Sequence, residues 1–105
     1  MIGRMRHRLT LEAPVESDDG AGGRSLAWTA IATVWGAIEE VSGQEAAPEE
    51  AEIELRRLRI TVRASVEIRA SRRFVAGDRI IDILGVRDAE GRGRYLLCDC
   101  RERRG

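Results

Sequence analysis

The stretch W-T-A-I-A-T-V-W-G-A-I-E-E-V-S-G-Q-E, residues 28–45, decides the fold. It is the longest apolar segment, and it holds both tryptophans of a chain whose only other aromatic residues are one Tyr and one Phe. Ile31, Thr33, Val34, Trp35, Ile38 and Val41 are β-branched or aromatic, which favours a strand over a helix. Laid out straight, Trp28 to Val41 spans about 46 Å at roughly 3.3 Å per residue. A domain of this length has a radius of gyration of roughly 13 Å. The strand is therefore predicted to bend, with Gly36 as the residue that lets it. A long bent strand shared between two parts of a curved sheet is how small barrels close.

Outward from that strand, the pattern stays β. Residues 7–15 (H-R-L-T-L-E-A-P-V) put Leu9, Leu11, Ala13 and Val15 on one face and Arg8, Thr10 and Glu12 on the other, a half-buried strand with Pro14 at an edge or its end. Residues 16–25 (E-S-D-D-G-A-G-G-R-S) read as an extended loop between two strands of a long hairpin. Downstream, Gln44 to Leu58 is the one helix candidate, and 43–57 reads as a helix or extension. Pro48 suits a first helical position, Ala51, Leu55 and Leu58 share a face, and Glu52 lies four residues before Arg56. From Leu58 the period changes to two, with Leu58, Ile60 and Val62 alternating against Arg57, Arg59, Thr61 and Arg63.

A polar connection follows over residues 65–73. Phe74 to Leu84 then reads as a hairpin turned at Ala76-Gly77-Asp78-Arg79. Asp88 to Gly93 is a turn and Arg94 to Arg101 the last strand, with Leu96, Cys98 and Cys100 on one face; Arg101 to Gly105 is expected to be a loose tail. The sum is one mainly antiparallel all-β domain over residues 1–105, a small barrel or sandwich with one short helix.

Composition excludes several classes. The 105 residues carry 18 basic and 18 acidic side chains, and a net charge of zero argues against a general nucleic-acid or membrane binder. All the basic residues are Arg, which fits either a GC-rich genome or a need for bidentate contacts. No apolar run approaches the roughly 20 residues that span a bilayer. The start, M-I-G-R-M-R-H-R-L, has no apolar core of a signal peptide, so the chain is expected to be intracellular at least when made, with Cys98 and Cys100 reduced there.

Catalytic chemistry is missing at the level of motifs. His7 is the only histidine, and no serine sits in a Gly-x-Ser-x-Gly elbow. Cys98 and Cys100 offer two thiols on one strand face without a second pair to complete a tetrahedral site, so they read as small buried hydrophobes. The glycine-rich loop has no following helix and no Lys-Ser or Lys-Thr pair. No enzyme, cofactor or metal is expected.

Charge is instead segregated. Glu39 to Glu54 contains seven Glu and no Arg, whereas Arg56 to Arg73 contains seven Arg and only Glu67. These blocks are either solvated faces or complementary surfaces that meet between copies, as in a head-to-tail ring. On the second reading Glu49, Glu50, Glu52, Glu54, Arg56 and Arg57 are interface candidates. Arg59 and Arg63, on one strand face, are candidates to line a nucleic-acid channel.

The order of features resembles the phage head–tail joining family, the head closure or stopper proteins of tailed phages, prophages and gene transfer agents. The resemblance rests on G-R-M-R-H-R-L-T-L-E-A-P-V at 3–15, the D-D-G-A-G-G-R loop, and Trp28 followed by A-T-V-W-G-A-I-E at 32–39. It is completed by S-G-Q-E at 42–45 and F-V-A-G-D-R-I-I-D-I-L-G-V-R-D at 74–88. The helix after S-G-Q-E departs from the family in lacking bulky residues. The resemblance implies a β-barrel that forms a homo-oligomeric ring of six or twelve copies, part of a virion or phage-like particle and assembled in the host cytoplasm. An adaptor or portal-side connector would lie above, a tail terminator or other tail protein below, and double-stranded DNA would pass through without sequence readout. It defines no motif-borne site residue. Another connector component, or a stand-alone nucleic-acid-binding barrel, are the competing readings.

Overall fold

In the computed structural model, residues 5–18, 20, 22–41 and 55–103 are described. Six strands follow one another along the chain: β1 (His7–Asp18), β2 (Arg24–Glu40), β3 (Leu55–Arg63), β4 (Arg73–Ala76), β5 (Arg79–Asp88) and β6 (Tyr95–Arg103). All pairings are antiparallel, and the strands close into a barrel in the order β1-β2-β3-β6-β5-β4.

The barrel closes because every strand turns alternate apolar side chains inward. Leu9 and Leu11 from β1, Leu58, Ile60 and Val62 from β3, and Phe74 from β4 fill the interior with Ile81 and Ile83 from β5 and Cys98 and Cys100 from β6. The lumen is thus a packed core. The predicted polar connection after β3 contributes to it as well, since Ile68 is buried among these residues.

The long strand is present, and Gly36 has a packing role in it. A Cβ at Gly36 would lie 2.9 Å from Leu9 Cδ1, 3.1 Å from Ile60 Cγ2 and 3.3 Å from Val62 Cγ1, so glycine is required by close packing. Gly36 is also where β2 changes partner: residues 24–36 pair with β1, and residues 36–40 pair with β3. The irregularity in β2 sits at Ile31, skipped where the register passes from Leu11↔Ala32 to Glu12↔Ala30. A bulge of this kind bends and twists its strand.

β1 meets β4 only at Thr10, Leu11 and Glu12. Beyond Glu12, β1 and β2 therefore continue as a two-stranded arm that leaves the barrel. The arm resolves the length problem posed by the strand, and the radius of gyration is 15.1 Å with extents of 49 × 36 × 24 Å. The loop expected at 16–25 is shorter than that, because Glu16↔Leu26, Ser17↔Ser25 and Asp18↔Arg24 are still paired.

Two further expectations are corrected. The helix predicted over Gln44–Leu58 is overturned at its end, where Leu55 to Leu58 belong to β3, paired from Leu55↔Arg103 onward; the rest of that expectation, residues 44–54, lies outside the described residues. Arg56 accordingly pairs with Glu40 of β2 at 3.7 Å. The tail expected to be loose from Arg101 is strand through Arg103, because both neighbours reach that far. Glu102 is buried there at 3% exposure, gripped by Arg79 through Nε–Oε2 at 2.7 Å and Nη2–Oε1 at 3.0 Å.

The turns carry specific chemistry. Gly77 has φ 63°, the positive value that a two-residue hairpin turn asks of its first central position. In the turn after β5, Asp88 accepts backbone N–H bonds from Glu90, Gly91 and Gly93, and these bonds, Glu90 first, hold its carboxyl below the ordinary value.

Candidate assembly surface

Directly opposed residues on paired strands share a face, so the outer surface can be read from the registers. On the arm, one face carries Ala13/Thr29, Val15/Ala27 and Ser17/Ser25, and the other carries Glu12/Ala30, Pro14/Trp28, Glu16/Leu26 and Asp18/Arg24. Val15, Leu26 and Ile31 are 45%, 57% and 40% exposed. Glu16 and Arg24 bridge the two arm strands at 2.8 Å, and Ser17 and Ser25 share a hydroxyl hydrogen bond of 3.1 Å.

At its root the arm is clamped to β4. The Arg73 guanidinium lies 4.2 Å from the centre of the Trp28 ring, and its Nε donates to Glu12 Oε1 at 2.8 Å. Trp28 thereby acquires a partner that its place in an apolar run did not suggest. The signal was non-local, since β4 is far away in sequence.

Arg57, Arg59 and Arg63 stand on the outer face of β3, alternating with the buried Leu58, Ile60 and Val62. Arg59 lies directly between Glu39 of β2 and Asp99 of β6, so acidic neighbours flank it on both sides. Arg63 sits over Tyr95, its guanidinium carbon 6.0 Å from the ring centre, beside a shallow hollow lined by Met5, Thr33 and Trp35. Trp35 is 54% exposed there. Arg57 faces Arg101 across the β3–β6 pair, two like charges directly opposed. On the other flank of Arg101 is Asp82, but both Asp82 oxygens are engaged by Arg103, at 2.8 and 3.2 Å. The Nε of Arg101 is buried and has no hydrogen-bond partner among the described residues. Of the candidate interface residues, Arg56 and Arg57 are thus placed at the start of β3, while Glu49, Glu50, Glu52 and Glu54 lie outside the described residues.

Cys98 and Cys100 are fully buried, and burial pushes the Cys98 thiol up to about 12 and the Cys100 thiol higher still, so both are neutral at ordinary pH. His7 is exposed on the first residue of β1. Among the described residues no three His, Cys, Asp or Glu side chains come together as a metal site.

The described residues thus form a filled antiparallel barrel with a projecting hairpin and a charge-patterned exterior. The chain belongs to the phage head completion protein family, whose model matches residues 1–103. That family is a structural one, of the virion. Among solved structures, the chain is similar to one from the virion of a native gene transfer agent particle, with 37% identity over 96% of each chain and a TM-score of 0.81. It is also similar to the solution structure of protein SF1141 from Shigella flexneri 2a, with 30% identity over 96% of this chain and 95% of that one and a TM-score of 0.71. No curated protein sequence matches it.

Proposed function

We propose that the chain is a head-closure, or stopper, subunit of a tailed phage or gene transfer agent. In this reading copies form a ring of six or twelve at the head–tail joint. The ring continues the DNA channel, retains packaged DNA and offers the platform on which the tail docks. An adaptor or portal-side connector lies on its head side, and a tail terminator or other tail protein on its tail side.

The observation that carries the reading is the match to head completion proteins over residues 1–103, joined to 37% identity with a chain of a gene transfer agent virion. The geometry agrees with it. The barrel interior is filled by Leu9, Leu11, Ile60, Phe74 and Ile81, so any DNA channel has to run between copies rather than through one. Arg59 and Arg63, exposed on β3, are the residues assigned to such a channel, where non-specific phosphate contacts are electrostatic. The arm is the described extension available to reach neighbours.

Deleting the gene in its host and examining particles by electron microscopy tests this. Leaking or DNA-less heads beside free, complete tails are expected. Normal tailed particles from the deletion strain would refute the assignment.

A further inference from the structure

The registers assemble a row of side chains that no single strand contains. Arg8 of β1 opposes Trp35 of β2, and Arg63 of β3 opposes Tyr95 of β6. Trp35 and Arg63 meet one step beyond the Gly36↔Val62 pair, and with Tyr95 they line one shallow hollow. Leu9 and Val62 are fully buried, and a Cβ at Gly36 would meet both, so the next residues along each strand, Arg8, Trp35 and Arg63, face outward. Cation and ring therefore alternate, Arg8-Trp35-Arg63-Tyr95, across the adjacent strands β1-β2-β3-β6. At about 4.8 Å between strands the row is about 14 Å long.

Both cations are free to bind. Neither Arg8 nor Arg63 enters an ion pair among the described residues, and the printed contact of Arg63 is with the Tyr95 ring, 6.0 Å from its centre. Two residues along on the same face stand Thr10, Thr33, Ala37, Thr61 and Leu97, none of them acidic. Arg59 differs, because Glu39 and Asp99 flank it. The two arginines that share the outer face of β3 are thus unlike, and Arg63 alone of the pair stands in unopposed positive charge. Between the charges Trp35 is 54% exposed, a large flat ring held in water.

Positive charge by itself calls for phosphates, and an open ring set between the charges calls for a second flat group. Nucleic acid carries both. A duplex hides its base faces within its own stack, whereas a single strand offers bases that stack on aromatic side chains and phosphates that pair with arginine. We propose that Arg8, Trp35, Arg63 and Tyr95 form a binding site for unpaired DNA, in which Trp35 stacks a base and the two arginines hold neighbouring phosphates. The inference rests on the head–tail reading only for the source of that DNA; the site itself stands on the row.

The purified full-length protein tests it with a labelled oligothymidylate and a duplex of the same length. The wild type is expected to bind the single strand more tightly than the duplex, with tryptophan emission quenched on binding. Affinity should fall with salt by about 0.7 per phosphate contacted, a log–log slope of about −1.4 for two. W35A should bind about tenfold more weakly and lose the quenching, since Trp28 is held by Arg73 at the arm root. R8Q and R63Q should each halve the salt slope, and R59Q should leave it unchanged. A duplex bound as tightly as the single strand, with tryptophan emission unmoved, would reduce the row to a phosphate contact and overturn the stacking site. W35A that keeps its β spectrum and binds like the wild type would overturn it too, as would a single strand that fails to bind up to the solubility limit of the protein. Each of these results would leave the gene-deletion phenotype to decide the head–tail role by itself.

Discussion

At position 36 there is room for a hydrogen and nothing larger. The Leu9 side chain that a Cβ would strike at 2.9 Å is fully buried, as are Ile60 and Val62 behind it, so none can swing into solvent. Gly36→Ala should therefore cost about 1–3 kcal/mol, the usual penalty for overpacking a filled core. Thermal denaturation showing an unchanged midpoint would contradict the close-packing account. The two core thiols make a second prediction at this scale. In the unfolded chain each titrates at its ordinary 9.0, whereas burial in the barrel holds Cys98 protonated to about 12 and Cys100 beyond that. Below pH 9 both states bind the proton and the full stability is present. Above it the unfolded chain releases protons that the folded chain keeps, so stability falls as pH rises from 9 to about 12. Denaturant midpoints measured across this window should fall more steeply for the wild type than for C98V/C100V. Parallel curves would mean that the thiols are not the cause.

Elements differ in how many neighbours secure them. Within the barrel each strand is hydrogen-bonded on both sides, but arm residues 13–18 and 24–29 pair only with each other. An isolated two-stranded ribbon is marginal in water, so amide hydrogen exchange in the free protein should be faster across the arm than at Leu9, Ile60 or Cys98. Equal protection would show that something beyond strand pairing holds the arm. The same contrast between local and non-local support governs what could be read from the sequence. β1, the later part of β3 and the β4–β5 hairpin were legible because alternation and a glycine turn are local signals. The start of β3 was not: Leu55 and Leu58 fit a helical spacing as well as a strand, and only the distant β6 decides between them. The end of β6 looked like a charged tail because the partner that permits Glu102 to be buried, Arg79, lies on another strand. The charge blocks are legible in the sequence, but the opposition of Arg57 to Arg101 depends on a register that no local pattern records.

Across the whole molecule, the distal arm stands apart from the strands that close the barrel. β1 contacts β4 no further than Glu12, and β2 joins β3 only from Gly36 onward, so the distal arm contributes no pairing to barrel closure. That separation permits a clean excision. Replacing residues 17–25 with a two-residue Asn-Gly turn would join Glu16 to Leu26, which already face each other in register, by a connection suited to a tight hairpin. The Trp28–Arg73–Glu12 clamp at the root would be retained. The shortened protein should keep its β spectrum and melt close to the wild type, since exposed arm residues such as Leu26 add little to the core. Supplied to a deletion strain, it should nevertheless fail to restore tailed particles if the arm is an element that reaches a neighbour in the joint. A shortened protein that folds and restores particles at wild-type yield would remove the arm from the assembly and leave the charged faces of β3 and β6 to carry the contacts.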